Sequence, residues 1–139
     1  MASGIPISDE SYNAYERVKN RNLRGAILKI ENNEIVVEEL FDNSSSSEST
    51  WENLCSRLKS KECRYILYDF EFTVASSKRS KVSLALWAPD TASVKDKMLS
   101  ASSAEALKNK FGLSVVTQVN CPSALGYSEI VQEVGKRSS

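Results

Sequence analysis

The side chains that could do chemistry are few, and none of them is a histidine. Without imidazole there is no Ser-His-Asp or Cys-His arrangement and no histidine-based metal site. The side chain that changes charge near neutral pH is missing too. Cys55, Cys63 and Cys121 are scattered, with no C-x-x-C spacing. Such a set reads as reduced thiols in a cytosolic protein, and it is one short of a Cys-only zinc site. Asp69 and Glu71 stand two apart in a β-rich run, so they share a strand face. They could work as a carboxylate pair or simply be satisfied at a strand end. Glycines at 4, 25, 112, 126 and 135 fit neither GxGxxG nor GxxxxGK. The inventory argues against an enzyme and predicts neither a metal nor a cofactor.

Binding chemistry is better supplied. Residues 78–81 read KRSK, which is either a patch for an anionic surface or a solvated hairpin tip. Strand alternation puts Arg79 and Lys81 on one side, opposite Val82, Leu84 and Leu86. A second set lies in VKDKM, residues 94–98, at the start of a helix about five turns long. With Val94 at the origin of a helical wheel, Leu99, Ser103, Ala106 and Leu107 fall between about 120° and 220°, a core face. Val94, Met98, Ala101, Ser102 and Glu105 lie on the opposite side, with Lys95 and Lys97 flanking them. Val94 and Met98 are therefore either core at an overlapping helix end or a partner-facing ridge, for which a flexible Met rimmed by lysines is suited.

Elements able to position these groups are legible along the 139 residues, which suggest one domain. Ser8 is expected to cap a helix that opens on Asp9 and Glu10 and runs to about Lys19. Residues 25–30 and 34–40 are β-rich, with Asn32-Asn33 as the turn between them. The Ser-rich stretch 42–50 reads as a mobile surface loop, and Thr50 as the cap of a helix carrying Trp51, Leu54, Cys55 and Leu58. Residues 64–72 read as a central strand buried on both faces, followed by a turn over 76–79 and a strand over 82–86. After the long helix come a strand over 113–119 and a helix from Tyr127 to about Val134. Strand, helix, strand predicts a parallel pair, and so a mixed sheet covered by helices on both faces. A formal net charge of zero argues against a protein that coats nucleic acid. No apolar run approaches the length of a membrane span, and no signal peptide is recognisable.

Together these pieces resemble the ADF/cofilin family over essentially the whole chain. The resemblance rests on the Met-Ala-Ser-Gly start with Ile5, Ser8-Asp9, ECRYILYDFEF at 62–72, SKRSK at 77–81, LWAPDTASVKDKM at 86–98 and SASSAEAL at 100–107. It implies a single α/β (α+β) ADF-homology domain over 1–139, with a central mixed sheet of five to six strands between helices. Residues 1–7 would be a flexible arm and 136–139 a tail. The implied activity is binding of actin monomers and filaments by a cytoplasmic monomer, with ADP-actin preferred and filaments depolymerised or severed. The implied monomer surface is Ser3, Gly4, Ile5 and Pro6 with Val94, Lys95, Lys97 and Met98. The implied filament surface is Arg79 and Lys81 with Lys136 and Arg137. Ser3 resembles the family's site of inhibitory phosphorylation. Ser100 replaces a usual aromatic and Ala104 a usual lysine, which implies a thinner basic patch and weaker phosphoinositide inhibition. Gln132-Glu133 replaces an acid–base pair, which implies weaker filament binding. Relatives resembling coactosin or glia maturation factor keep the fold but bind filaments only, or a branching complex; the MASG start and VKDKM favour the first reading.

Overall fold

The computed structural model describes residues 5–58, 61–113 and 116–136. Its elements are α1 (Asp9–Lys19), β1 (Gly25–Glu31), β2 (Glu34–Phe41), α2 (Ser47–Cys55), β3 (Arg64–Val74), β4 (Ser77–Trp87), α3 (Val94–Lys110), β5 (Val116–Val119) and α4 (Tyr127–Lys136), with a short 3-10 turn at Pro122–Leu125 before α4. Five strands lie in the order β2-β1-β3-β4-β5. All neighbours are antiparallel except β4 and β5, which are parallel and joined through α3.

Local chemistry accounts for most of the boundaries. Ser8 Oγ accepts the Ser11 N–H at 3.0 Å and starts α1. Asn32 and Asn33 take φ of 51° and 64°, so a two-residue turn joins β1 to β2. Gly25 is needed because a Cβ there would strike the Tyr68 ring and lie 2.8 Å from the Leu67 carbonyl. It lets β1 pass close over β3.

Each sheet face carries its own core. On one, α1 and α3 cover Leu28, Tyr65, Leu67, Leu84 and Leu86, and Tyr15 stacks on Phe111 with ring centroids 4.6 Å apart. On the other, α2 and α4 cover Ile66, Tyr68, Phe70 and Trp87 with Trp51, Leu54, Ile130 and Val134. Trp51 Nε1 donates to the Leu125 carbonyl at 2.6 Å, so that core also satisfies its buried indole. Burial of each such side chain stabilises the fold by about 1.5–3 kcal/mol.

Four expectations need correction. The Ser-rich stretch is not loop to residue 50: α2 begins at Ser47, with Ser46 Oγ accepting the Ser49 N–H at 3.1 Å. Ser47, Thr50, Trp51 and Leu54 form its buried stripe; two of the four are hydroxyl residues, which carry no hydrophobic signal. Thr50 is thus inside the helix and not its cap, and Leu58 lies beyond the helix end. The hairpin turn is Ala75-Ser76, with φ of 51° and 70°, so Lys78 and Arg79 belong to β4. The arm is not free throughout, because Ile7 bridges Ile35 in parallel and the Ile35 N–H donates to the Pro6 carbonyl at 2.9 Å. Residues 114 and 115, within the expected last strand, lie outside the described residues, and β5 begins at Val116.

Candidate functional site

Register places one candidate set at one end of the sheet. Ile35 pairs with Ile30, Leu28 with Tyr65, and Tyr65 with Leu86. The Ile7 bridge, the start of β3 and the end of β4 are therefore at the same end, and α3 leaves from there. Ser93 Oγ caps α3 by accepting the Asp96 N–H at 3.0 Å. Asp96 Oδ2 accepts the Cys63 N–H at 3.1 Å, and the Tyr65 hydroxyl donates to the Ser100 carbonyl at 2.7 Å. The first two turns of α3 are pinned to β3 by these bonds. Burial pushes the Cys63 thiol up to about 11, against the hydrogen bond from Ser100.

The outward face of those turns carries Val94 and Met98, each 68 % exposed. They are a ridge and not core. Lys95 is exposed, and Lys97 is half-buried with Nζ donating to the Asp90 carbonyl at 3.4 Å. The inward face differs from the expected one. Ser100, Ser103, Ala104 and Leu107 are buried, while Leu99 and Ala106 are only half-buried. Small side chains let the helix lie close on the sheet, and a hydrophobic wheel gives them too little weight. Pro6 is exposed. Ile5 is 8 % exposed and packs in the α1/α3 core, so it anchors the arm and is unsuited to contact a partner. Ser3 and Gly4 lie outside the described residues.

The other set rides on the far end of β4. β1 pairs with β3 only over Tyr65–Tyr68, and β5 with β4 only over Leu84–Trp87. Residues 69–74 and 77–82 therefore project as a two-stranded ribbon. Lys81 pairs with Phe70 and Arg79 with Phe72, which puts both cations on the α2/α4 face of the ribbon. Lys136 is the last residue of α4, and Arg137 lies outside the described residues. From Lys81 to Trp87 the strand spans about 20 Å, so the two sets are well separated surfaces.

Asp69 and Glu71 do share a face, but Arg24 occupies them. Its Nη1 is 3.2 Å from Glu71 Oε2 and 3.9 Å from Asp69 Oδ2. Burial raises the Asp69 carboxyl against the pull of Arg24 and Arg21. The pair is part of an ion cluster at the base of the ribbon. Above it, the Tyr127 hydroxyl donates to the Glu71 carbonyl at 2.5 Å, accepts the Glu71 N–H at 3.1 Å and lies 2.7 Å from Ser47 Oγ. Asp96 and Tyr127 are positioning residues that the residue pattern does not single out. The Ser93-x-x-Asp96 spacing signals the cap of α3; nothing local signals Tyr127.

An apolar ridge between two lysines at one end and a cationic ribbon at the other form a two-surface arrangement. Residues 4–135 match the family described as Cofilin/tropomyosin-type actin-binding protein. The chain belongs to the ADF/cofilin family. It is 34% identical over 128 residues to actin-depolymerizing factor 2 of Arabidopsis thaliana, covering 90% of each chain. It is 31% identical over 139 residues to a cofilin of Schizosaccharomyces pombe, covering 97% of this chain and 98% of the other. The solved structure of Plasmodium berghei actin depolymerization factor 2 superposes with a TM-score of 0.85 at 28% identity, over 96% and 98% of the two chains. Within this ADF/cofilin protein two departures from the family pattern need a different reading. Ser100 and Ala104 are 3% and 5% exposed, so neither forms part of an exposed patch on α3. They close the helix onto the sheet.

Proposed function

We propose that this chain binds actin monomers and filaments and increases filament turnover in the cytoplasm, by depolymerising or severing filaments. The observation that carries the proposal is the ridge of Val94 and Met98, each 68 % exposed, beside Lys95 and Lys97 on a helix pinned to β3. Large apolar side chains left in water on a rigid element favour a partner that covers them. The lysines then select a partner surface rich in carboxylates and speed the encounter. This end, with Pro6 and the arm from Ser3, is the monomer surface. Arg79 and Lys81, with Lys136 and Arg137, form the filament surface. Turnover follows if the protein binds ADP-actin in an altered filament geometry more tightly than in the resting one, because only differential affinity shifts such an equilibrium. Phosphorylation of Ser3 would bring about two negative charges to the lysine-flanked end and weaken docking.

Native gel shift with ADP-actin monomers and cosedimentation with filaments test the proposal together. Lys95→Ala with Lys97→Ala should lower both affinities by about tenfold or more. Arg79→Ala with Lys81→Ala should lower filament binding and spare the gel shift. Absence of any gel shift for the native chain would instead favour a filament-only relative of the coactosin kind, and equal behaviour of the two double variants would refute the division into surfaces.

A further inference from the structure

A cleft of about 350 Å³ opens between the α1–β1 turn and the β3–β4 ribbon, lined by Arg21, Phe72, Thr73, Lys78, Arg79 and Ser80, with Glu71 at its edge. Arg21 is built into it. Its φ is 66°, in the left-handed region that a residue other than glycine seldom adopts. Two bonds hold it there: its N–H donates to the Val18 carbonyl at 3.1 Å, and its carbonyl accepts from Asn43 Nδ2 at 2.6 Å. The side chain then crosses to β4, where Nη2 donates to Ser80 Oγ at 2.7 Å. A guanidinium has five N–H donors, so most of its capacity is left over.

The charge pattern shows what those donors are for. Arg24, Lys29, Arg57, Arg64 and Lys108 each pair with a carboxylate of this chain. Among the described residues, Arg21, Lys78, Arg79 and Lys81 have no such pair; nor do other cations such as Lys95 and Lys97, but these four are gathered at or beside one cleft. Glu71, the one carboxylate at the cleft, is engaged by Arg24 at 3.2 Å. Arg21, Lys78 and Arg79 thus line one cleft, with Lys81 two residues along the strand from Arg79, and the carboxylate at that cleft is already taken by Arg24. Lys78 and Arg79 are consecutive in β4 and point to opposite faces, so the charges cannot converge on one compact phosphate. They suit an extended protein surface with spaced carboxylates.

We propose that this cleft is a carboxylate-binding extension of the filament surface, with Arg21 its principal contact and Lys78 a second. The inference rests on the filament reading of Arg79 and Lys81. It enlarges that surface from one face of the ribbon to both and adds a segment distant in sequence. Ser80 serves to aim Arg21.

Arg21→Asn is the sharpest test, because asparagine tolerates a positive φ and the turn should survive. An unchanged thermal midpoint would confirm that it does. Filament affinity by cosedimentation should fall by about 5- to 10-fold, and the dependence of log Kd on log salt should become shallower. The monomer gel shift should not move. Arg21→Lys should recover part of the loss. Full filament affinity in Arg21→Asn would overturn the proposal. If Arg79→Ala with Lys81→Ala still weakens filaments, only the Arg21 assignment fails; if that variant is also silent, the filament reading fails with it. Loss of binding to vesicles containing phosphatidylinositol bisphosphate, with filament affinity intact, would overturn the proposal in favour of a lipid headgroup.

Discussion

Replacing Tyr127 with Phe removes one oxygen and keeps the ring that packs 6.3 Å from Phe70. The consequence can be worked from the contacts. The hydroxyl accepts the Glu71 N–H at 3.1 Å and donates to the Glu71 carbonyl at 2.5 Å. Each bond contributes about 1 kcal/mol net. The Glu71 N–H retains Ser47 Oγ at 3.3 Å as a weaker partner, and water can reach the exposed carbonyl. The expected loss is therefore about 1–2 kcal/mol and not the sum of two fully buried bonds. For 139 residues this lowers the melting temperature by about 3–7 °C. The loss is local as well as global. A two-stranded ribbon is marginal without tethers, and Tyr127 ties the base of this one to α4 and α2. Native-state hydrogen exchange should accelerate at the Glu71 amide and along the ribbon, while Tyr65–Tyr68 stay protected in proportion to global stability. Filament affinity should fall and the monomer gel shift should hold. A melting temperature within about 1 °C of the parent with unchanged exchange at Glu71 would show that the hydroxyl bears no load. A uniform rise in exchange at both ends of the sheet would show that it acts globally and not as a tether.

Other expectations are simpler. Val94→Ser with Met98→Ser should leave stability within about 0.5 kcal/mol, because both side chains are already in water, yet weaken monomer binding by about tenfold; a large drop in the urea midpoint would place them in the core after all. Burial raises the Cys63 thiol to about 11 and the Cys55 thiol to about 12. A disulfide-exchange reagent at pH 8 should therefore titrate Cys121 rapidly in the native protein and all three thiols in denaturant. The same shifts set a pH dependence. Thiols in the unfolded chain lose their protons near pH 8.5, before those in the folded one. Stability from this source is complete below that pH and is lost as pH rises through about 11 to 12. Urea midpoints between pH 8 and pH 11 should fall less in Cys63→Ser than in the parent.

Much of the scaffold could be read from local chemistry. Ser8 before Asp9-Glu10 marks a helix start, Asn32-Asn33 between β-branched runs marks a hairpin, and the apolar run at Tyr65–Tyr68 marks a strand covered on both sides. Each depends on neighbours in sequence. Local cues failed where small polar residues face the core. Ser47, Ser100 and Ser103 are 4%, 3% and 1% exposed, and their hydroxyls or backbones are matched by Tyr68, Tyr65 and other groups from distant segments. A hydropathy pattern counts such residues as surface, and so it starts α2 too late and rotates the core face of α3.

For the site, the sequence by itself determined the chemical types: no imidazole, a Val-Lys-Asp-Lys-Met helix start, a run of cations, and a family pattern spread over the chain. Tertiary structure decided which of them are available. It buried Ile5 and Ala104, left Val94 and Met98 in water, tied Asp69 and Glu71 to Arg24, and brought Arg21 across 59 residues to Ser80. Exposure and pairing depend on segments that meet only when the sheet closes and both faces are covered. Residue type and spacing along one strand or helix carry no record of what the opposite segment supplies.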